Sequence, residues 1–445
     1  MFDEIDVYHR GVSLQKKKDY DRAIESFSKA IELNPKYTEA YFSRGNVYEE
    51  KGLHEKAIES YNAVLEYNPN EPAAYYNRAV AYAKMGNKPQ ALADYDEAIR
   101  RDPDYSKAFF NRAKLRLRMG EEDAAIEDFS EAIRSNPKDP EPYVCRGLAL
   151  ANQGKYDEAI EDYDMAIRVD AEYAEAFGNR GNAFERKGDN DRAVENYNEV
   201  IRLTPDDSKA YYNRGLVYFN MGKYNQSLAD YDEAIRLSPK ESRLRQSRGI
   251  VHAKKRHFDK AILDYSEAIH LEPKNIDARI CHGLALVSLK RIEEAIEQYD
   301  KAIDINPECT RAYHSRGVAN GLLGKNQQAI EDYSKVLQIQ PDDANVYCHR
   351  GVVYTKTGNI KAAMDDYTKA IELRPDYARA YFNRGLVYRI AGELDRAIAD
   401  LSEAIRLNPT HTQAYQNRGL AYEKKGDKVK AKADIKKVKQ LQRSR

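Results

Sequence analysis

Tryptophan is absent from this 445-residue sequence, cysteine is scarce and neither sign of charge predominates. Lysine plus arginine number 72, as do aspartate plus glutamate, so we expect no general affinity for nucleic acid, which requires a basic surface. The four cysteines are too scattered for a disulfide framework, which favours a reducing, cytoplasmic compartment. No apolar run approaches the length of a membrane span, and the acidic start Met1–Asp6 is unlike a secretory signal.

Tyrosine, by contrast, occurs 34 times, which indicates that one structural position is filled repeatedly. The hexapeptide NRGLVY stands at Asn213–Tyr218 and again at Asn383–Tyr388, 170 residues later, and 170 is five times 34. Steps of 34 from position 4 divide the chain into thirteen repeats without insertion or deletion. This period predicts a solenoid over residues 4–445, preceded by an N-terminal extension of residues 1–3.

Within each repeat, whose positions we number 1 to 34, the shared residues recur every three or four positions. They stand at positions 4, 8 and 11 and again at 20, 24, 27 and 28, which is the spacing of one helix face. Glycine at position 15 in ten repeats ends the first helix, and proline at position 32 in eleven ends the second. Each repeat is therefore predicted to be two antiparallel helices joined by a tight turn.

Small residues and large rings recur at fixed positions, which predicts close packing between the two helices of a repeat. Position 8 is glycine in eleven repeats and alanine at Ala79 and Ala113, and position 20 is alanine in twelve repeats. Glycine within a helix costs about 1 kcal/mol, so we expect it only where a neighbouring helix comes close. The ring at position 24 is expected to fill that space.

These shared residues resemble the tetratricopeptide repeat (TPR) pattern over essentially the whole chain. The resemblance implies an all-α fold, an α-solenoid in which TPR helix-turn-helix repeats form a right-handed superhelix. The sequence departs from the family at position 7, which is usually leucine there but is arginine in twelve repeats here and His282 in the other.

The first and last repeats carry polar residues where the others are apolar. Lys432 and Lys439 stand where a following repeat would pack, and Asp6 and Ser13 stand where a preceding one would. End repeats of a solenoid need a polar outer face, so we expect both ends to be capped, with no attached catalytic domain.

The position-7 arginines recur together with aspartate at position 23, which is present in nine repeats. Where the arginine becomes His282, position 23 becomes Gln298. One interpretation is a ladder of guanidinium groups that lines a groove for acidic ligands. The other is an ion pair within a repeat or between neighbours, and strict recurrence favours this structural role.

Positions 2, 5, 6, 9 and 13 lie on a face of the first helix away from the predicted packing face. In TPR proteins the face formed by these positions lines the concave surface. An asparagine amide there both donates and accepts, so it can hold a peptide backbone; a similar ladder occurs in the TPR arm of O-linked N-acetylglucosamine transferases. Alternatively, the position-6 asparagines are polar residues tolerated on a solvent-exposed face, and the position-5 rings only pack one first helix against the next. The candidate peptide-binding residues are Asn77, Asn111, Asn179, Asn213, Asn383 and Asn417 at position 6, with Tyr76, Phe110, Tyr212 and Phe382 at position 5.

The carboxylate clamp of chaperone-binding TPR domains is incomplete in every repeat. No lysine stands at position 5, and the position-9 asparagines Asn46 and Asn182 accompany Phe42 and Gly178. The resemblance therefore makes a chaperone-linked adaptor that binds a heat-shock protein tail a less favoured function.

Repeats eight and nine are irregular, with Arg245 and Arg279 in place of the position-4 ring. The change indicates either a joint or docking site, or arginine stems that cover the same surface. Equivalent positions of successive repeats lie about a helix diameter apart, so we expect no metal site from the cysteines and histidines of repeats nine to eleven. These are Cys281, His282, Cys309, His314, Cys348 and His349.

No P-loop, dinucleotide fingerprint, nucleophile elbow or His-Glu-x-x-His pair is found, and we expect neither enzyme activity nor a cofactor. The function expected is a protein–protein interaction scaffold or adaptor that binds partner proteins or extended peptide segments in the concave groove. One alternative is an architectural or assembly factor that acts through self-association or convex-surface contacts, and homo-oligomers are compatible with both. Another is an unrecognised enzyme or small-ligand receptor.

Overall fold

A computed structural model describes residues 3–443, which form 26 α-helices and no β-strand. The all-α prediction is therefore confirmed for this part of the chain. The chain divides into two compact units, Met1–Gly222 and Lys223–Arg445, and the two helices of repeat seven fall on either side of this division.

The N-terminal unit contains the first thirteen helices, which are two for each of its six complete repeats and the first helix of repeat seven. They are α1 (Glu4–Lys16), α2 (Tyr20–Leu33), α3 (Thr38–Glu50), α4 (His54–Tyr67), α5 (Pro72–Lys84), α6 (Lys88–Arg101), α7 (Ser106–Leu117), α8 (Glu122–Ser135), α9 (Pro140–Asn152), α10 (Tyr156–Val169), α11 (Ala174–Arg186), α12 (Asn190–Leu203) and α13 (Ser208–Asn220).

The C-terminal unit contains the other thirteen helices. They are α14 (Tyr224–Leu237), α15 (Ser242–Lys254), α16 (Phe258–Leu271), α17 (Ile276–Ser288), α18 (Ile292–Ile305), α19 (Thr310–Leu322), α20 (Asn326–Ile339), α21 (Ala344–Lys356), α22 (Ile360–Leu373), α23 (Ala378–Ala391), α24 (Leu394–Leu407), α25 (Thr412–Lys424) and α26 (Lys428–Arg443).

Within each unit, every helix packs against the helix before it and the helix after it, and first helices of neighbouring repeats also touch. Contacts of this last kind join α1 to α3 and α3 to α5 in the N-terminal unit, and α15 to α17 and α23 to α25 in the C-terminal unit. This pattern of consecutive helix pairs is that of an α-solenoid of helix-turn-helix repeats, as predicted.

The turn between the two helices of a repeat has a left-handed residue at position 15. All ten glycines at this position have positive φ, between 73° and 87°, and Lys18, Arg256 and Lys290 adopt the same conformation with φ of 60° to 62°. Glycine is favoured there because a side chain clashes with the backbone at positive φ. The predicted turn is thus confirmed, and three repeats form it at a cost in strain.

The second helices end two residues before position 32. The helix α10 ends at Val169 although Ala171 replaces the proline, whereas α26, with Arg443 at position 32, continues to that residue. Proline is therefore not required to stop the second helix of repeat five.

Glycine at position 8 makes room for the position-24 ring of the same repeat. A Cβ atom placed on Gly147 would lie 2.7 Å from Tyr163 Cε1, and one placed on Gly45 would lie 2.6 Å from Tyr61 Cε1. Both rings are almost completely buried. The predicted packing of small residue against ring is confirmed.

The position-7 arginines of repeats two to eight and ten to thirteen join each of these repeats to the one before it. Arg146 donates from Nε and Nη2 to Asp162, 16 residues later at position 23, and from Nη1 to Ser130 Oγ, 16 residues earlier. Arg78 makes the equivalent bonds to Asp94 and Asn62, and Arg350 makes them to Asp366 and Ser334. The ion-pair interpretation is confirmed, and the acceptor in the preceding repeat, always at position 25, is an additional finding.

Repeat nine lacks this network because His282 replaces the arginine. The Nδ1 atom of His282 is buried without a hydrogen-bond partner among the described residues. Burial lowers the pKa of His282 to about 4, so the ring is neutral at pH 7. Arg279, at position 4, donates instead to Pro273 O at 2.8 Å and Gln298 Oε1 at 3.5 Å.

The polar residues of the first and last repeats, Asp6, Ser13, Lys432 and Lys439, are exposed. Their interpretation as caps stays a prediction. In residues 3–443 no helix combines the length and the hydropathy that crossing a membrane requires.

Candidate functional site

Three clefts occupy the same repeat positions at different places in the chain. Each is lined by positions 1, 2, 5 and 6 of a first helix, by positions 27, 31 and 34 of the same repeat, and by position 2 of the next first helix. Two lie in the N-terminal unit, at repeats two and six, and one lies in the C-terminal unit at repeat ten. Their volumes are about 300, 560 and 420 Å³.

The cleft at repeat six contains two of the candidate asparagines. Asn179 and Asn213 both line it, on α11 and α13. Asn179 and Asn182 also line a neighbouring cleft of about 320 Å³ that reaches Leu148 and Arg186. The two clefts therefore share a border of amide groups, and together they form a groove across the first helices of repeats five to seven.

The other four candidate asparagines already donate hydrogen bonds within the chain. Asn77 Nδ2 donates to Asn46 Oδ1 at 2.9 Å, and Asn111 Nδ2 donates to Tyr76 Oη at 2.7 Å. Asn383 Nδ2 lies 3.6 Å from Cys348 Sγ, and Asn417 Nδ2 donates to Gln413 O within its own helix. An amide has two donor hydrogens and an acceptor oxygen, so each keeps part of its capacity.

The position-5 rings cover the position-24 rings from the groove side. The ring centroids of Phe110 and Phe129 are 5.8 Å apart, and those of Tyr76 and Tyr95 are 6.1 Å apart. Phe382 packs against His411 at 4.6 Å, and Tyr212 is half-buried. These four position-5 rings are not among the residues that line the clefts described above, and their role in peptide binding stays a prediction.

Sequence reasoning missed the role of Gly178, which stands at position 5 where other repeats have a ring. Tyr197, at position 24, and Asn182, at position 9, line the cleft beside it, and Tyr197 Oη donates to Asn182 Oδ1 at 2.7 Å. In repeat two, where position 5 is Phe42, the equivalent Tyr61 and Asn46 do not line the cleft. The missing ring at position 5 was the available signal.

A pair of histidines lines the cleft at repeat ten, in the C-terminal unit. His314 Nε2 and His349 Nδ1 share a hydrogen bond of 3.0 Å, and Arg379 Nη1 lies 3.3 Å from His349 Nε2. Burial lowers the pKa of His349 to about 4, and the neighbouring His314 and Arg379 act in the same direction. Burial also lowers the pKa of His314. The pair is therefore neutral at pH 7.

A cleft of about 620 Å³ lies away from the groove, on the side of the position-7 arginines, and includes Arg316, Asp332 and Asp300. These three charged groups are already paired, since Arg316 bonds to both carboxylates. Among residues 3–443, no group of three or more His, Cys, Asp or Glu side chains is placed to hold a metal ion.

Stacked helix pairs joined in register, with one cleft type recurring along them, define an α-helical repeat protein. The family model described as "TPR repeat" matches residues 13–86, 149–222 and 283–426, and models described as "Tetratricopeptide repeat" match residues 72–105, 94–127, 129–161, 208–241 and 412–445. The chain belongs to the tetratricopeptide repeat family. Proteins of this family are generally non-catalytic interaction scaffolds, which supports that general role here.

The individual relatives are more distant. MJ0572, an uncharacterized protein of Methanocaldococcus jannaschii, is 49% identical over 37 residues, which are 8% of this chain and 43% of that protein. The chain thus matches less than half of that relative. The solved structure of MamA is 30% identical, covers 36% of this chain and 95% of its own, and has a TM-score of 0.35. The solved structure of YrrB is described as a TPR protein with an unusual peptide-binding site. It is 25% identical, covers 43% of this chain and 98% of its own, and has a TM-score of 0.37.

Proposed function

We propose that this protein is a non-catalytic scaffold that holds extended peptide segments of partner proteins along the groove of its first helices. The observation that carries the proposal is the recurrence of one cleft at the same positions in repeats two, six and ten. A segment in extended conformation presents a backbone donor or acceptor every few ångströms, which suits a row of repeated sites.

The chemistry of the groove also supports a peptide ligand. The side chain of Asn179 has no hydrogen-bond partner among the described residues, so its amide donors and its amide oxygen are all available to a peptide backbone. The apolar contribution comes from Val200 in one cleft and Leu148 in its neighbour. Backbone contacts would supply affinity, and the variable side chains at positions 2, 5 and 9 would supply selectivity.

The cysteines and the charge balance bear on the compartment and on the class of partner. All four cysteines are free thiols, which is compatible with a reducing compartment, and we propose that the protein acts as an adaptor in the cytoplasm. Balanced charge, 72 residues of each sign, is the reason to expect proteins as partners in preference to nucleic acid.

The test is an unbiased selection of peptides on the intact chain, followed by titration of a labelled selected peptide. Replacing Asn179 and Asn213 with alanine should weaken binding about 30-fold, because each lost hydrogen bond is worth about 1 kcal/mol. The matched control is Asn70→Ala, an asparagine in an exposed loop. Equal affinity of the double variant and the control, with an unchanged helical signal, would remove the groove proposal. Self-association on sizing, without any peptide selected, would favour the assembly role.

A further inference from the structure

We propose that the cleft at Gly178 is a receptor for one tyrosine side chain of the bound segment. The inference rests on the proposed function, since it names the residue that anchors the segment. Its basis is a comparison of repeat six with repeats of the same chain that carry their own ring at position 5.

The space at Gly178 corresponds to the position of a ring elsewhere in the chain. In repeats two, three and four, position 5 is Phe42, Tyr76 or Phe110, and each ring lies about 6 Å from the position-24 ring. In repeat six position 5 carries no ring, although the position-24 ring, Tyr197, is present and is 1% exposed, as Tyr61 is in repeat two. A Cβ atom on Gly178 would meet only Val200 Cγ2, at 3.7 Å. The backbone at Gly178 therefore has space for the ring that position 5 carries in those repeats.

The volumes agree with this interpretation. The cleft of repeat two, which contains Phe42, measures about 300 Å³, and that of repeat six measures about 560 Å³. The larger cleft is also lined by Asn182, Tyr197, Ala210 and Asn213, whose equivalents do not line the cleft of repeat two. A ligand ring that enters from Gly178 would contact Val200, and it would reach the small exposed part of Tyr197 that lines the cleft.

A polar partner for the ring is also in place, and it distinguishes tyrosine from phenylalanine. In repeats three and four, Asn111 Nδ2 donates to Tyr76 Oη at 2.7 Å, across a separation of 35 residues. The residue 35 positions after Gly178 is Asn213, which lines the cleft. In the N-terminal repeats, Tyr8 Oη and Ser43 Oγ lie 3.3 Å apart across the same separation. A ligand tyrosine that takes the place of Tyr76 would therefore accept a hydrogen bond from Asn213.

The rim of the cleft accounts for the rest of the segment. Glu175, Asp207 and Lys209 line the cleft, so its rim carries two acidic groups and one basic group. Asn179 and Asn182 continue the surface into the neighbouring cleft. The segment is thus expected to place a tyrosine in the cleft at Gly178 and to continue over these amides towards Leu148.

The experiment uses the full chain and nine-residue, fluorescein-labelled peptides of one glycine- and serine-rich background that carry tyrosine, phenylalanine, leucine or alanine at the centre. We expect the tyrosine peptide to bind at least tenfold more tightly than the alanine and leucine peptides, and two- to tenfold more tightly than the phenylalanine peptide. Gly178→Tyr should abolish the preference for a ring, because it supplies the side chain that repeat three carries in Tyr76. Gly321→Tyr, at a helix glycine with open space around it and outside the clefts, is the matched control and should retain it.

Asn213→Ala separates the two parts of the proposal. It should remove the preference for tyrosine over phenylalanine while the preference of both over alanine persists. Equal binding of all four peptides, or an undiminished preference for tyrosine in the Gly178→Tyr variant with an unchanged circular dichroism spectrum, would overturn the inference.

A second measurement does not depend on the peptide background. Titration with N-acetyl-L-tyrosinamide should shift the backbone amide resonances of Gly178 and Asn213 in wild type and not in Gly178→Tyr, and the absence of such shifts would overturn the inference. If selected peptides lack an aromatic residue but lose affinity in the Asn179 and Asn213 double variant, the groove function holds and the tyrosine anchor is wrong. If the tyrosine derivative shifts these resonances and no peptide is selected, the anchor holds and the groove function is wrong.

Discussion

Arg146 and Asp162 stand 16 residues apart and form a two-pronged ion pair, with Nε to Oδ2 at 2.8 Å and Nη2 to Oδ1 at 2.5 Å. The carboxylate is 6% exposed and the arginine side chain 24% exposed, so both charges have lost much of their hydration. A pair of this kind fixes the register of two helices through its geometry, while its net contribution to stability is small because desolvation opposes the attraction.

Removing only the carboxylate should therefore cost more than removing the whole pair. Asp162→Leu leaves the Arg146 charge without its partner, and we expect a loss of about 2–3 kcal/mol, less than for a fully buried arginine. The double variant Arg146→Met with Asp162→Leu should recover to within about 1 kcal/mol of wild type. The measurement is the denaturant midpoint of the full chain. A double variant no more stable than Asp162→Leu would show that the pair itself is a large net stabiliser.

The glycines of the first helices should respond to alanine in opposite ways according to what lies beside them. Alanine is better than glycine in a helix by about 1 kcal/mol. At Gly178 the new Cβ would make an ordinary contact, so Gly178→Ala should raise the melting temperature. At Gly147 the new Cβ would lie 2.7 Å from the Tyr163 ring, and crowding of this kind costs about 1–3 kcal/mol.

Gly147→Ala should accordingly lower the melting temperature, as the clash outweighs the gain in helix propensity. Thermal melts of both variants, followed by circular dichroism, give the comparison. A rise in both variants would mean that the Tyr163 ring moves aside freely, as the rings beside Ala79 and Ala113 already accommodate a methyl group.

Periodicity was sufficient to predict the helix pairs, their turns, and the pairing of the position-7 arginine with position 23. These features depend on residues such as Gly147 and Asp162 that recur in phase. The acceptor at position 25 was not predicted, because Ser130, Asn62 and Asp96 share only a side-chain oxygen.

The cleft at Gly178 could not be predicted from what recurs, because it arises from a single departure. The hydrogen-bond partners of the position-6 asparagines could not be predicted either. The contacts of Asn111 with Tyr76 and of Asn383 with Cys348 join successive first helices, and their distance depends on how closely repeats stack.

Strain at the turns of repeats eight and nine offers a stabilising substitution. Arg256 has φ of 62° and an exposed side chain, so glycine would relieve the left-handed strain without loss of packing. The gain from relief is about 1–2 kcal/mol and the greater freedom of glycine in the unfolded chain offsets part of it. We expect Arg256→Gly to raise stability by about 0.5–1 kcal/mol, measured by the denaturant midpoint. The reciprocal Gly324→Lys should lower it by a similar amount, and an unchanged midpoint in both would contradict the strain argument.

The histidine pair of the groove should make the C-terminal unit sensitive to acid. The pKa of His349 is about 4 in the folded protein, below the value of about 6.5 of an exposed histidine, because the ring is buried next to His314 and Arg379. Asp343 acts in the opposite direction but does not outweigh burial. Between these two pH values the unfolded chain binds a proton that the folded chain does not. Stability contributed by the neutral ring is therefore complete above about pH 6.5 and falls as the pH falls towards 4.

His349→Ser tests this expectation, since serine occupies the same position at Ser43, Ser247 and Ser315. The variant should lose less stability than wild type between about pH 7.5 and pH 4.5, as measured by denaturant midpoints at each pH. His270→Ser, which removes an exposed histidine of the same unit, is the control and should keep the wild-type pH dependence. If His349→Ser and His270→Ser follow the same curve, protonation of the groove pair does not limit stability in acid, and the carboxylates of the arginine network become the groups to test next.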